Sequence, residues 1–169
     1  LEISRIEAGG LAVDVQPYEL GDLVATSLRR FRADLGDRLE VAVPADLPYV
    51  SVDAILLDQA LANVVENALR YAPGAPIRVT AAAEADAVQL TIEDAGGGVP
   101  EEALPRLFDK FYRVRRPRDA ARHGTGIGLA VVQGLLQAMG GDARATRAEL
   151  GGLAIVMRLP LAQLPGDEG

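Results

Sequence analysis

A chain of 169 residues, 49% hydrophobic and 24% charged, has the length and composition of one globular domain that buries about 70% of the surface its unfolded form would expose. The absence of cysteine excludes disulfides, thiol catalysis and thiolate metal sites, and 4% aromatics with no Trp leaves a core of Leu, Val, Ile and Ala. A formal charge of −7 argues against a general nucleic-acid or anionic-membrane binder, and no apolar run approaches the roughly 20 residues that span a bilayer.

Taken in order, Leu1, Ile3 and Ile6 share a helical face that stops at Gly9-Gly10, so residues 1–10 are the expected tail of a helix whose body belongs to a longer chain. Residues 11–16 alternate as a short strand ended by Pro17. Residues 19–35 carry Leu20, Leu23, Val24, Leu28 and Phe31 at helical spacing. Two strand-like pieces, 38–43 and 49–52, flank a Pro-containing turn. Asp53 is a good N-cap for a long helix over 54–71, stopped by Pro73-Gly74, with Leu57, Leu61, Val64 or Val65, and Ala68 on its apolar face.

Residues 77–83 and 88–93 read as a hairpin turning at 84–87, followed by the loop Asp94-Ala95-Gly96-Gly97-Gly98-Val99-Pro100. A short helix is expected over 101–108, and residues 109–123 are polar and Arg-rich without a period. Gly124-Thr125-Gly126-Ile127-Gly128-Leu129 then opens an apolar helix that runs to Met139. A last strand pair, 142–147 and 153–159, turns around Gly151-Gly152, and the tail from Leu164 is expected to fray. Hairpin connections predominate, which predicts an α+β two-layer sandwich: a mixed sheet with helices on one face. A doubly wound sheet would need regular β-α-β alternation.

Four stretches carry chemistry. Asn63 and Asn67 are i and i+4 on one helix face, with Arg70 close by; their uncharged carbonyl oxygens suit a Mg²⁺ already held by phosphates, or they are simply surface amides. Asp94 at a strand end can accept from a ligand amino group while the following glycines admit a flat ring, or the segment is an acidic turn. Phe108 and Phe111, two of the three Phe residues, are either a clamp pinning a mobile segment or core residues. Arg113, Arg115, Arg116, Arg118 and Arg122 make the next stretch a solvated loop or a lid facing phosphates. The alternate glycines from Gly124 to Gly128 lead into a helix N-terminus, which suits an anion, although such a start can also be only a tight turn.

In this order the four closely resemble the N, G1, F and G2 boxes of sensor histidine kinases, in the ATP-binding superfamily shared with gyrase, the Hsp90 chaperones and MutL. The resemblance covers at least residues 53–160, and residues 1–10 resemble the end of a second dimerisation helix. It implies a Bergerat-type ATP-binding fold, a catalytic domain over 11–162 and a disordered tail over 163–169. Asp94 would receive the adenine amino group, Asn67 would hold Mg²⁺ and Asn63 would support the phosphate or metal site. Arg70, Tyr71, Tyr112 and Arg113 would line the nucleotide together with Gly96 and Gly98. Gly124, Thr125, Gly126, Ile127, Gly128 and Leu129 would follow an ATP lid over 108–123. Asn63, Asn67 and Arg113 would be the catalytic group.

Gyrase-like relatives usually carry a general-base Glu where this chain has Asn63, and an amide cannot accept a proton at neutral pH. Glu66 lies about 100° from Asn67 around the helix and does not replace that base. The single His, His123, falls in the lid, so the phosphoacceptor histidine is expected on a separate dimerisation domain. The resemblance thus implies ATP and Mg²⁺ as ligands, a response-regulator receiver domain as further partner and no nucleic acid. It also implies a cytoplasmic location, with a membrane reached only through upstream segments. The stretch from Phe108 to Arg113 is also similar to potassium-responsive KdpD-type kinases. A nucleotide-dependent interaction module without phosphotransfer is the alternative from another class, and a Rossmann oxidoreductase is a third.

Overall fold

The alternation read in the sequence assembles, in a computed structural model, into a five-stranded mixed sheet with strand order β2-β4-β5-β7-β6, and a separate pair β1-β3. Residues 10–114 and 128–166 are described. The expected helix tail up to residue 9, the lid from residue 115, and Gly124, Thr125, Gly126 and Ile127 lie outside them. The strands are β1 (Gln16–Tyr18), β2 (Leu39–Ala42), β3 (Val50–Val52), β4 (Ile77–Ala83), β5 (Ala87–Asp94), β6 (Asp142–Arg147) and β7 (Leu153–Pro160). The helices are α1 (Leu20–Leu28), α2 (Arg32–Leu35), α3 (Ala54–Tyr71) and α4 (Gly128–Ala138). Among the described residues only β2 and β4 pair in parallel, and the other strand pairs are antiparallel.

Two expectations are corrected. The first strand is not 11–16 but Gln16–Tyr18, with Pro17 inside it. This strand pairs on one side only, with β3, so the missing proline N–H breaks no ladder. Upstream, the Asp14 N–H goes to the Asp53 carboxylate at 2.9 Å instead of to a strand. The helix over 19–35 is broken: a 3₁₀ turn, Arg29–Phe31, separates α1 from α2. There the Arg30 guanidinium donates to the Ser27 carbonyl at 3.1 Å, competing with the helical bond that this oxygen would accept. Gly36 closes the segment at φ 51.

The long helix α3 has the expected bounds. Asp53 caps it by accepting from Ile55 N at 3.0 Å and Leu56 N at 3.2 Å. Leu57, Leu61, Val64, Val65 and Ala68 are all buried. They meet Leu90 and Ile92 of β5, Met157 and Leu159 of β7, and Leu135 and Leu136 of α4 in one core between helices and sheet. Toward the C-terminal end, Ala162 N donates to Tyr49 O at 2.9 Å and so ties the segment after β7 to the small β1-β3 pair.

Candidate functional site

Period-two alternation along β5 sends Val88, Leu90 and Ile92 into the core, and Asp94 follows on the same face at the strand end. Asp94 is buried, at 7% exposure. Its Oδ1 accepts from Gly96 N at 2.9 Å and from Leu153 N at 3.4 Å, and its carbonyl oxygen accepts from Gly152 N at 3.1 Å. Two backbone donors on one oxygen fix the plane of the carboxylate. This is an Asx-type turn braced from a second strand.

At two of the glycines around it nothing larger fits. A Cβ on Gly96 would stand 2.5 Å from Ala72 Cβ, at the C-terminal end of α3. A Cβ on Gly152 would overlap both Asp94 Oδ1 and the Asp94 carbonyl oxygen. Gly98 takes φ 66, a left-handed conformation that disfavours any side chain. Three segments therefore converge on Asp94: the end of β5, the end of α3 and the β6-β7 turn. Gly152 was not recognised in the sequence, where it reads as one of two turn glycines; no local signal separates it from Gly151.

On α3, Asn63 and Asn67 are half-buried and about 6 Å apart along the axis, as four residues at 1.5 Å require. Glu66 is exposed, as is Arg70, while Tyr71 is half-buried. At the opposite end of α3, Asp53 N lies 3.3 Å from the sulfur of Met139, just past the end of α4. Because α4 packs along α3, it runs back toward the Asn residues. Its 11 residues rise about 16 Å, which brings its start at Gly128 level with Asn63 and Asn67. The Gly128 end of α4 is thus brought beside two amide side chains.

Gly128 and Leu129 are the first two described residues of α4. Nothing lies within 4 Å of a Cβ built on Gly128, so a side chain is not excluded there. The Leu129 side chain is buried in the core, which leaves only its backbone to face a ligand.

The segment after Pro100 forms a 3₁₀ helix over Glu101–Arg106, shorter than the helix expected over 101–108. Phe108 and Phe111 do not make a joint clamp: Phe108 packs against the core, whereas Phe111 is 72% exposed at φ 61. The Tyr112 ring is covered by the Arg106 guanidinium, 4.4 Å from its centroid, and Arg106 is 3.6 Å from Asp109. Arg113 is exposed at the edge of the described segment. No group of three or more His, Cys, Asp or Glu side chains able to hold a metal occurs among the described residues. No helix among them is long and apolar enough to cross a membrane.

This arrangement, a clamped acid at a strand end beside an Asn-bearing helix and a facing helix start, agrees with the comparisons. The chain belongs to the histidine kinase-, DNA gyrase B- and HSP90-like ATPase family, whose model it matches over residues 52–163. Within that family its similarity is to sensor histidine kinases. It is 33% identical over 164 residues to the signal transduction histidine-protein kinase BaeS of Escherichia coli, covering 95% of this chain and 35% of that protein. It is 30% identical over 166 residues to the sensor protein KdpD of the same organism, covering 98% of this chain and 18% of that protein. The crystal structure of the ATP binding domain of PrrB from Mycobacterium tuberculosis matches with a TM-score of 0.68 at 27% identity, over 89% of this chain and 99% of that one. The chain thus spans about a third or less of these curated relatives and nearly all of a solved ATP binding domain.

Proposed function

We propose that this domain binds Mg-ATP between α3 and α4 and presents it for phosphoryl transfer to a histidine on a separate helical dimerisation domain. That domain would in turn pass the group to an aspartate of a response-regulator receiver domain. The observation that carries the reading is the buried Asp94 carboxylate, held in plane by Gly96 N and Leu153 N beneath a Gly-rich loop. Such an acceptor suits the amino group of adenine, and Gly96 and Gly98 let a flat ring lie against the backbone.

The donor set also fits the metal. Mg²⁺ keeps waters and substrate phosphates as ligands and needs only one or two protein oxygens, so a single amide is enough. Asn67 would provide that oxygen and Asn63 would support the phosphates. Arg70 and Arg113 would neutralise phosphate charge, and Tyr71 and Tyr112 would border the nucleotide. Backbone N–H groups from Gly124 through Leu129 would meet the phosphates at the start of α4. Bound Mg-ATP supplies the transferable phosphoryl group; the chain contributes positioning and charge.

Asn63 also favours histidine over water or serine as acceptor. Neutral imidazole already carries a nitrogen lone pair near pH 7 and needs no base to attack, whereas water and serine do. On this reading the domain works in the cytoplasm, where ATP is supplied, as part of a membrane-anchored bacterial sensor. Mixing the chain with its separately prepared dimerisation domain and γ-labelled ATP tests the reading. Label on histidine is the expected result. Tight ATP binding with no labelled protein would instead make this a nucleotide-dependent interaction module.

A further inference from the structure

Glu93 immediately precedes Asp94, so their side chains leave the sheet on opposite faces. Asp94 points to the helices; Glu93 points to the other face, where Arg78 of β4 and Ala154 of β7 are its cross-strand neighbours. A carboxylate on a sheet face turned away from the helices is ordinarily solvated, yet Glu93 is 6% exposed. Its oxygens are divided between two partners. Oε1 lies 3.2 Å from Arg78 Nη1, and Oε2 accepts the backbone N–H of Glu149 at 3.2 Å. Arg78 also reaches Glu40 of β2 at 3.2 Å, so an ionic row crosses three strands and ends on the β6-β7 turn.

That turn is the one that closes on Asp94. Gly151 N donates to Ala148 O at 3.0 Å and Ala148 N to Gly152 O at 2.9 Å, with Gly151 at φ 102. Gly152 N and Leu153 N then donate to Asp94. Two adjacent residues therefore hold one short turn from both faces of the sheet: the Glu93 side chain at Glu149 N, the Asp94 carbonyl oxygen at Gly152 N and the Asp94 carboxylate at Leu153 N. Movement of the turn toward Asp94 is blocked by the close approach of Gly152, and movement away breaks the donors on Asp94.

We infer that Glu93 is a positioning residue for base recognition: by holding the Glu149 N–H it sets the β6-β7 turn, and through Gly152 and Leu153 the orientation of the Asp94 carboxylate. The inference rests on the reading of Asp94 as the acceptor of the adenine amino group.

The test is calorimetric titration of the 169-residue chain with Mg-ATP and with the triphosphate of purine riboside, which lacks the amino group. Glu149→Pro removes the N–H that Glu93 holds, at the second position of the 148–151 turn. The turn is closed by Gly151 N to Ala148 O, and its second position is one that proline favours. Glu149→Pro and Glu93→Ala should each weaken ATP about tenfold and leave the analogue within about twofold, since one charge-assisted hydrogen bond is at stake. Glu93→Gln keeps an acceptor toward residue 149 and should restore ATP binding to within about threefold, while Glu149→Ala, which keeps the N–H, should behave as wild type. If the variants retain the preference for ATP, or weaken both nucleotides alike, Glu93 only stabilises the fold and the inference is wrong, with Asp94 unaffected. Should Glu93→Ala fail to fold, Glu149→Pro decides alone. A wild-type chain that binds the two nucleotides equally overturns the base assignment itself.

Discussion

A methyl group added at position 152 would enter space held by Asp94 Oδ1 and the Asp94 carbonyl oxygen, and would lie 2.8 Å from Gly96 N. These neighbours are backbone atoms and a carboxylate fixed by two backbone donors, so no rotamer change relieves the overlap. Gly152→Ala must instead part β5 from the β6-β7 turn. That disrupts the Gly152 N bond to Asp94 O at 3.1 Å and the Leu153 N bond to the carboxylate at 3.4 Å. A neutral hydrogen bond contributes about 0.5–1.5 kcal/mol and one to a charged group about 1.5–3 kcal/mol, which gives a loss of about 2–4 kcal/mol. For a domain of this size that lowers Tm by roughly 4–16 °C. ATP affinity should fall at least about tenfold, because the displaced group is the proposed base acceptor. Thermal denaturation and calorimetry read the two effects. Gly21→Ala is the control: its Cβ meets nothing within 4 Å, and alanine inside α1 should raise stability by about 0.5–1 kcal/mol. A Gly152→Ala chain with wild-type Tm and ATP affinity would refute the steric argument.

Asp53→Ala deletes the acceptor for Ile55 N, Leu56 N and Asp14 N, and should cost about 2 kcal/mol, seen as a lower urea midpoint at unchanged m-value. Burial tends to raise the pKa of Asp58, but hydrogen bonds from Arg30 and Ser27, with the Arg30 charge, bring it below the ordinary 3.8. A folded value below the unfolded one means that the pair stabilises the fold above about pH 4, and that this contribution is lost as pH falls through the folded value. Asp58→Asn should therefore flatten the acid limb of Tm against pH; an acid limb identical to wild type would contradict this. Asn67→Asp should abolish Mg²⁺-dependent labelling of the dimerisation domain and leave Tm within about 2 °C, since a half-buried surface position carries little stability.

Much of the architecture was legible because local and global signals coincide. Asp53, the 3.6-residue apolar period and Pro73-Gly74 delimit α3, and alternation delimits β4, β5, β6 and β7. What escaped the sequence depends on tertiary neighbours. Pro17 sits inside a strand because that strand has a single partner, and α1 ends early where the Arg30 side chain takes the Ser27 carbonyl. Phe108 and Phe111 have the spacing of a pair, yet the left-handed backbone at Phe111 turns one of them outward. In the candidate site, Asp94 was legible from its place before a glycine run. Gly152 was not, because its importance arises only when β7 pairs with β5 and brings the turn beneath the carboxylate. Glu93 reads in sequence as the polar member of an alternating strand, and only the Arg78 and Glu149 contacts distinguish it.

The account turns on Asp94 as the acceptor for the base, and calorimetry of Asp94→Asn with Mg-ATP addresses it most directly. An amide in place of the carboxylate keeps the volume and removes the charge that strengthens the bond. A loss of about 1.5–3 kcal/mol, a ten- to hundredfold weaker affinity, is the predicted result. An Asp94→Asn chain that binds ATP as tightly as wild type would contradict it.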